Sequence, residues 1–411
     1  MVATCGDSER PRGAATVCRV SPSPPFLAAR LRGLGTTVFA EMSALAEATG
    51  AINLGQGFPD EDGPSEVAEA AVAAIRDGVN QYPPGPGRAD LRAAIADHQK
   101  RFYGVSLDPD DQVLVTAGAT EAVTAAILAL CEPGDEVLCF EPFYDSYVAA
   151  AALAGARLRP IGLQPPDWSF DAERLARAVT ARTRLLLLNS PHNPTGKVFS
   201  EDELAVVAAL CCERDLLALT DEVYEHLVFD GHHRPLSTLP GMAERTLTVS
   251  SAGKTFSFTG WKIGWVTGPA PLVAAVRAVK QFLTYVNGAP FQPAVATGLR
   301  LPDSYFAEAA WSLREKRDRL CAGLVAAGFS VHVPSATYFV MVDTGPLGYL
   351  DGAALCRELP HRCGVVAVPA AAFYSDPTAP TPLVRFAFCK RPEVLDEAAR
   401  RLAGLRTMTS P

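Results

Sequence analysis

Lys254 lies in the run Ser250-Ser251-Ala252-Gly253-Lys254-Thr255-Phe256, which continues through Gly260-Trp261-Lys262. Small neighbours let a flat ligand approach such a lysine closely. Burial and nearby cations lower an amine's pKa, and a neutral amine attacks an aldehyde to form a Schiff base. Ser251 and Lys262 stand at spacings that suit one phosphate. Taken alone, the run suits a surface lysine beside a loop just as well. A second group is Asp221-Glu222-Val223-Tyr224, at the end of an apolar run. A buried strand-end aspartate is costly unless it meets a cation. A protonated pyridine nitrogen is one such partner, and the pairing makes the ring an electron sink. Tyr224 would then reach the ring oxygen. The plainer alternative is a structural acid beside a packed tyrosine.

Two further stretches are weaker singly. In Asn189-Ser190-Pro191-His192-Asn193-Pro194-Thr195-Gly196 the prolines and glycine fix a rigid turn whose asparagines offer hydrogen bonds at set positions. His192 is expected on the solvent side of this turn, without a catalytic role. Gly118-Ala119-Thr120-Glu121 joins a strand to a helix, where free N–H groups and the helix dipole favour an anion. Gly85-x-Gly87 after Tyr82 lacks both the spacing and the preceding strand of a dinucleotide fingerprint.

The elements that must hold these residues follow from apolar periodicity. Strands are expected at Gln112–Thr116, Glu136–Phe140, Leu185–Asn189, Leu216–Thr220 and Thr246–Ser250. Helices are expected at Glu121–Leu130, Tyr144–Ala154 and Glu201–Glu213. The alternation predicts a mainly parallel sheet flanked by helices, with ligands outside the carboxyl ends of its strands. Ala117–Thr120, Asn189–Asn193, Asp221–Tyr224 and Ser251–Lys254 each fall just after an expected strand, as does Phe143-Tyr144. After Leu301 the pattern changes to a charged helix at Glu308–Ala327, strands at Phe329–Val333, Tyr338–Val342 and Leu383–Cys389, and a last helix at Pro392–Leu405. The expected division is a large α/β domain over 61–300 and a smaller α+β domain from 36–60 and 301–411. Residues 1–35 are expected to be a disordered extension, with a weak targeting signal as the alternative.

At 411 residues the chain is long for one core. Its net charge of -8 disfavours nucleic acid, which requires a basic face. No apolar run reaches the ~20 residues of a membrane helix. Ten scattered cysteines without a Cys-x-x-Cys pair suggest reduced thiols and a cytoplasmic setting, with Cys211-Cys212 in the core. The histidines lack metal-ligand spacing, so no metal is expected.

Together the stretches are far more specific than any one of them. Over about 36–405 they resemble the class I/II aminotransferases, pyridoxal-phosphate enzymes of fold type I. The resemblance is strongest to the actinobacterial N-succinyldiaminopimelate aminotransferases, with kynurenine and methionine aminotransferases next. Its telling phrases are TVFAEM from Thr37, NLGQGFPD from Asn53, NQYPPGPG from Asn80, NGAPFQP from Asn287 and VRFAFCK from Val384.

That resemblance implies pyridoxal 5'-phosphate as cofactor. Lys254 would form the Schiff base and carry the proton. Asp221 would pair with the pyridine nitrogen, Tyr224 and Asn193 would contact the phenolic oxygen, and Tyr144 would stack on the ring. Ala119, Thr120, Ser251 and Lys262 would cup the phosphate, joined by Tyr82 from a neighbouring subunit of a homodimer. Arg385, Asn193 and the Gly57 backbone would hold the substrate carboxylate, with Phe39 and the Asn287–Ala289 loop lining the side-chain pocket. Ala336, where glycine is common, and the short segment 375–382 depart from the pattern near the expected substrate. The expected reaction is amino transfer to a 2-oxo acid such as 2-oxoglutarate. β/γ-elimination, replacement or carbon–carbon bond formation is the rival outcome. A cofactor-responsive regulator is a remote one, since the segment before the fold is too short for a winged-helix module.

Overall fold

The computed structural model describes residues 26–32, 34 and 37–409. Strands are numbered β1 to β13 along the chain. Seven form one sheet: β2 (Val113–Thr116), β3 (Glu136–Glu141), β4 (Arg157–Gly162), β5 (Thr183–Asn189), β6 (Leu217–Asp221), β7 (Thr246–Ser251) and β8 (Gly264–Thr267). Their spatial order is β2-β8-β7-β6-β5-β3-β4, and β8 alone runs antiparallel to its neighbours. The sheet is therefore mainly parallel, as the alternation predicts. The short β8 and the edge strand β4 are additions to the sequence reading.

β5 shows why the sheet lies in the middle of the core. Successive strand residues point to opposite faces. Leu186 and Leu188 accordingly join one buried cluster, while Leu185 and Leu187 join another. Helices Gly118–Leu130 and Ala270–Lys280 cover the second face, and helix Glu201–Glu213 covers the first. Each fully buried leucine contributes about 1.5–3 kcal/mol. The Glu201–Glu213 helix starts at a capping box, with Ser200 Oγ accepting from Glu203 N and Glu203 Oε2 accepting from Ser200 N.

A smaller antiparallel sheet has the order β12-β13-β10-β9, built from β9 (Ser330–His332), β10 (Phe339–Asp343), β12 (Val368–Pro369) and β13 (Leu383–Ala387). Helices Asp303–Ala326 and Pro392–Thr409 pack together beside it. The N-terminal segment returns to this part of the molecule. β1 (Ile52–Asn53) pairs in parallel with β11 (Val365–Val366), and Ala387 N donates to Leu54 O at 2.7 Å.

The expected extension over 1–35 lies mostly outside the described residues. Within it, Ala29–Leu31 form a short 3-10 helix against helix Ser146–Ala154. Two expectations need correction. His192 is buried, because the turn folds inward and its Nδ1 pairs with Thr195 Oγ1 at 2.8 Å. Cys212 is exposed although Cys211 is core, since adjacent helix positions face different sides. All described cysteines are free. None of the described helices is long and apolar enough to cross a membrane.

Candidate active site

The strands β3, β5, β6 and β7 end along one edge, and each delivers a polar residue there. Asp221 closes β6 at 6% exposure. Tyr147 Oη donates to its Oδ2 at 2.6 Å, whereas Oδ1 is buried without a side-chain partner among the described residues, the Val223 backbone N–H lying beside the carboxylate. Burial pushes the Asp221 carboxyl above the usual carboxylate range, and the Tyr147 hydrogen bond pulls it back part of the way. An anion half satisfied in a dry site calls for a cationic or N–H partner.

Lys254 sits one turn beyond β7, in the short helix Ala252–Thr255. Its Nζ lies 5.9 Å from the Tyr224 ring centroid and 5.8 Å from that of Tyr338. Burial lowers its pKa to about 8, aided by the positive charges of Lys262 and Arg385 and opposed by Cys389 and Asp221. The amine is therefore partly neutral near neutral pH. Tyr224 is buried, and burial holds its phenol well above 10.

Asn189 ties the neighbouring turn to β6. Its Nδ2 donates to Asp221 O at 2.8 Å, and its Oδ1 accepts from Asn193 N at 2.8 Å. Asn193 Oδ1 in turn accepts from Arg385 Nη1 at 2.9 Å. Arg385 Nη2 donates to Gly55 O at 2.9 Å, while its buried Nε has no partner among the described residues. Three rings enclose the guanidinium: Phe339 at 3.9 Å, Phe373 at 4.6 Å and Phe39 at 5.2 Å. Burial lowers its pKa to about 10, which leaves it charged at neutral pH. Gly57 passes so close that an added Cβ would lie 2.4 Å from the Phe339 ring. Its carbonyl accepts from Tyr338 Oη at 2.8 Å.

An anion cradle lies at the other end of the site. Gly118 opens helix Gly118–Leu130 at φ 77°, and an added Cβ there would meet Lys262 Nζ at 3.2 Å. Gly264 of β8 lets the helix start come near, since a Cβ there would lie 2.8 Å from Ala119 N. Thr120 is exposed on the first turn, its side chain bonded to Tyr144, and Ser251 ends β7. Asn287 Nδ2 braces the cradle by donating to Thr116 O at 3.2 Å and Lys262 O at 3.0 Å.

The fold thus gathers most residues singled out in the sequence. Tyr82 stands apart, 82% exposed and edge-on to Tyr285 at 5.7 Å. Ala336 is fully buried under the asparagine turn, its N–H bonded to Gly196 O at 3.0 Å. In the short segment 375–382, Ser375 N bonds to Glu141 Oε1. Sequence reading missed Tyr147, Tyr338, Phe339 and Phe373. Tyr147 lies in the run SYVAAAALA and reads as core; only the neighbouring strand end gives its hydroxyl a purpose.

Pyridoxal phosphate fits these residues. The unpartnered Asp221 oxygen matches a protonated ring nitrogen, Lys254 an aldehyde, and the glycine-lined helix start with Lys262 a phosphate.

The sequence pattern described as aminotransferase class I and II matches residues 49–402. The chain belongs to that family. This aminotransferase is accordingly a pyridoxal-phosphate-dependent enzyme that moves amino groups between amino acids and 2-oxo acids. It is 57% identical over 388 residues to the probable N-succinyldiaminopimelate aminotransferase DapC of Mycobacterium tuberculosis, covering 92% of this chain and 98% of that one. The solved structure of the M. tuberculosis N-succinyldiaminopimelate aminotransferase superposes with a TM-score of 0.90 over 92% of this chain and 100% of the other. The methionine aminotransferase of Escherichia coli is 41% identical over 384 residues, covering 93% and 99% of the two chains. Human kynurenine–oxoglutarate transaminase 3 is 37% identical over 403 residues, covering 90% and 88%.

Proposed function

We propose that this aminotransferase takes N-succinyl-diaminopimelate or a related amino acid as donor and 2-oxoglutarate as acceptor. The 57% identity to the probable N-succinyldiaminopimelate aminotransferase supports the donor. The single observation that carries the chemistry is the buried Asp221 oxygen without a side-chain partner among the described residues, within electrostatic reach of Lys254, whose pKa burial lowers to about 8.

Bound pyridoxal phosphate supplies an electron-withdrawing ring. Asp221, oriented by Tyr147, would keep the ring nitrogen protonated. Tyr224, Asn193 and Tyr144 would hold the ring, and the Ala119 and Thr120 N–H groups, Ser251 and Lys262 would hold the phosphate. Lys254, whose amine burial leaves partly neutral, would hold the cofactor through its aldehyde and would serve as the base for the substrate's α-proton. Arg385 binds the α-carboxylate through its planar fork, positioned by Asn193, while the Gly57 N–H adds a donor and Phe39 closes the pocket.

Exposed aromatic residues support a homodimer in which Tyr82 reaches the partner's phosphate. Tyr82, Phe282 at 85% exposure and Tyr285 at 51% form an apolar surface that a second copy would cover. The free cysteines support a cytoplasmic setting.

A second donor class is favoured by the aromatic walls around Arg385. Phe39, Phe339 and Phe373 suit an aromatic or thioether side chain, in keeping with the methionine and kynurenine relatives. The deciding experiment mixes holoenzyme with single amino acids, without oxo acid, and follows cofactor absorbance. Stoichiometric conversion to the pyridoxamine form by N-succinyl-diaminopimelate, reversed by 2-oxoglutarate, establishes the proposal. Conversion by methionine or kynurenine alone selects the second class. Release of a β or γ leaving group without the pyridoxamine form would replace amino transfer by elimination.

A further inference from the structure

Behind the cleft the fold brings together residues that no sequence spacing connects. His98 comes from helix Ala89–Tyr103, whereas Glu225 and His226 follow β6. His98 and Glu225 are 2% and 4% exposed, and His226 is half-buried. His98 Nε2 and His226 Nε2 face each other at 2.7 Å. One ligand atom from each of the three residues lies within 4.8 Å of the others.

The geometry points to a divalent transition-metal site of the zinc class, ligated by His98 Nε2, His226 Nε2 and Glu225 Oε2, with water completing the shell. Two histidines and a carboxylate are a zinc donor set that leaves one open position. Tetrahedral zinc needs its nitrogen ligands about 3.3 Å apart, so the rings part slightly as the ion enters. The proton now shared between the Nε2 atoms moves to Nδ1 of its own ring, and both lone pairs then face the ion.

The surroundings suit this use. Ser250 Oγ donates to Glu225 Oε1 at 2.5 Å and fixes the carboxylate from behind, while Gln99 Nε2 is only loosely held by Oε2 at 3.5 Å. Phe102 and Phe306 wall the histidines, with ring centroids 4.7 Å and 4.3 Å from His226. His98 Nδ1 is buried with no hydrogen-bond partner among the described residues. A neutral imidazole pair joined by one shared proton is the competing state. The positive charge of Arg101 favours that state by opposing a cation.

The test uses tag-free holoenzyme stripped with chelator and dialysed against micromolar Zn²⁺ or Co²⁺. We expect one metal per chain, with a cobalt spectrum of low-coordinate nitrogen and oxygen ligands and no thiolate charge-transfer band. His98→Gln and His226→Gln should each weaken uptake at least tenfold while cofactor absorbance and the amino-acid half-reaction persist. Cys212→Ser should leave uptake unchanged and excludes a surface thiol. Wild-type uptake below a tenth of an equivalent would overturn the site, as would undiminished uptake by both histidine variants. The cofactor readouts are separate, so the fate of this site does not decide that of the proposed function.

Discussion

Tyr147→Phe isolates the hydrogen bond that holds Asp221. The phenyl ring keeps the volume of a fully buried side chain, so only the hydroxyl is lost. Among the described residues that hydroxyl is the one side-chain donor to Asp221, at 2.6 Å, and the Val223 backbone N–H adds a weaker contribution. A hydrogen bond to a buried charge contributes about 1.5–3 kcal/mol. At about 1.4 kcal/mol per tenfold, cofactor retention should weaken roughly ten- to a hundredfold. The sign follows from the charges. Burial already raises the Asp221 pKa and the Tyr147 bond lowers it, so removing the bond raises it further. A carboxyl that holds its own proton no longer keeps the ring nitrogen charged. Equilibrium dialysis of pyridoxal phosphate and the pH titration of the holoenzyme spectrum measure both effects. A dissociation constant within about twofold of wild type, with superimposable titrations, would refute the reasoning and reduce Tyr147 to packing.

Other outcomes are equally open to measurement. Cofactor capture by stripped enzyme should accelerate as pH rises through about 8, where the Lys254 amine loses its proton; a midpoint near the ordinary 10.5 would contradict its depressed pKa. Gly57→Ala drives a methyl group into the Phe339 ring that lies over Arg385, so KM for the amino donor should rise about tenfold or more with the cofactor spectrum unchanged. Sedimentation should give twice the 43.6 kDa chain mass, and Tyr82→Phe should weaken cofactor retention without dissociating the dimer. A monomer would remove the role given to Tyr82.

Much of the site was legible because chemistry and topology coincide. A rigid asparagine turn, a strand-end aspartate and a lysine among small residues each follow an apolar strand, and parallel strands deliver their carboxyl ends to one edge. What escaped notice depended on contacts across distant elements. Tyr147 needed β6 beside it, and Phe339 and Phe373 read as core until Arg385 lay among them. His98 sits in a charged amphipathic helix and gained its partners only through tertiary packing. β8 has only four residues, too few for its period to stand out, although Gly268-Pro269 punctuates its end. His192 is buried although proline-rich turns are usually superficial, because this one packs against Ala336 and the end of β6.

The position of β8 sets an order of events on the folding pathway. It joins β2 to β7, with Val113 opposite Thr267 and Ser251 opposite Gly264. The phosphate cradle draws on all three strands, so it exists only after that long-range pairing closes. Loop closure over such a span is entropically slow, and contacts of high sequence separation form late. A chain still being synthesised already carries Asp221 and the Asn193 turn, yet lacks Lys262 and the Gly264 surface on which the helix start rests. Pyridoxal phosphate is therefore expected to bind firmly only to chains whose sheet has closed around β8.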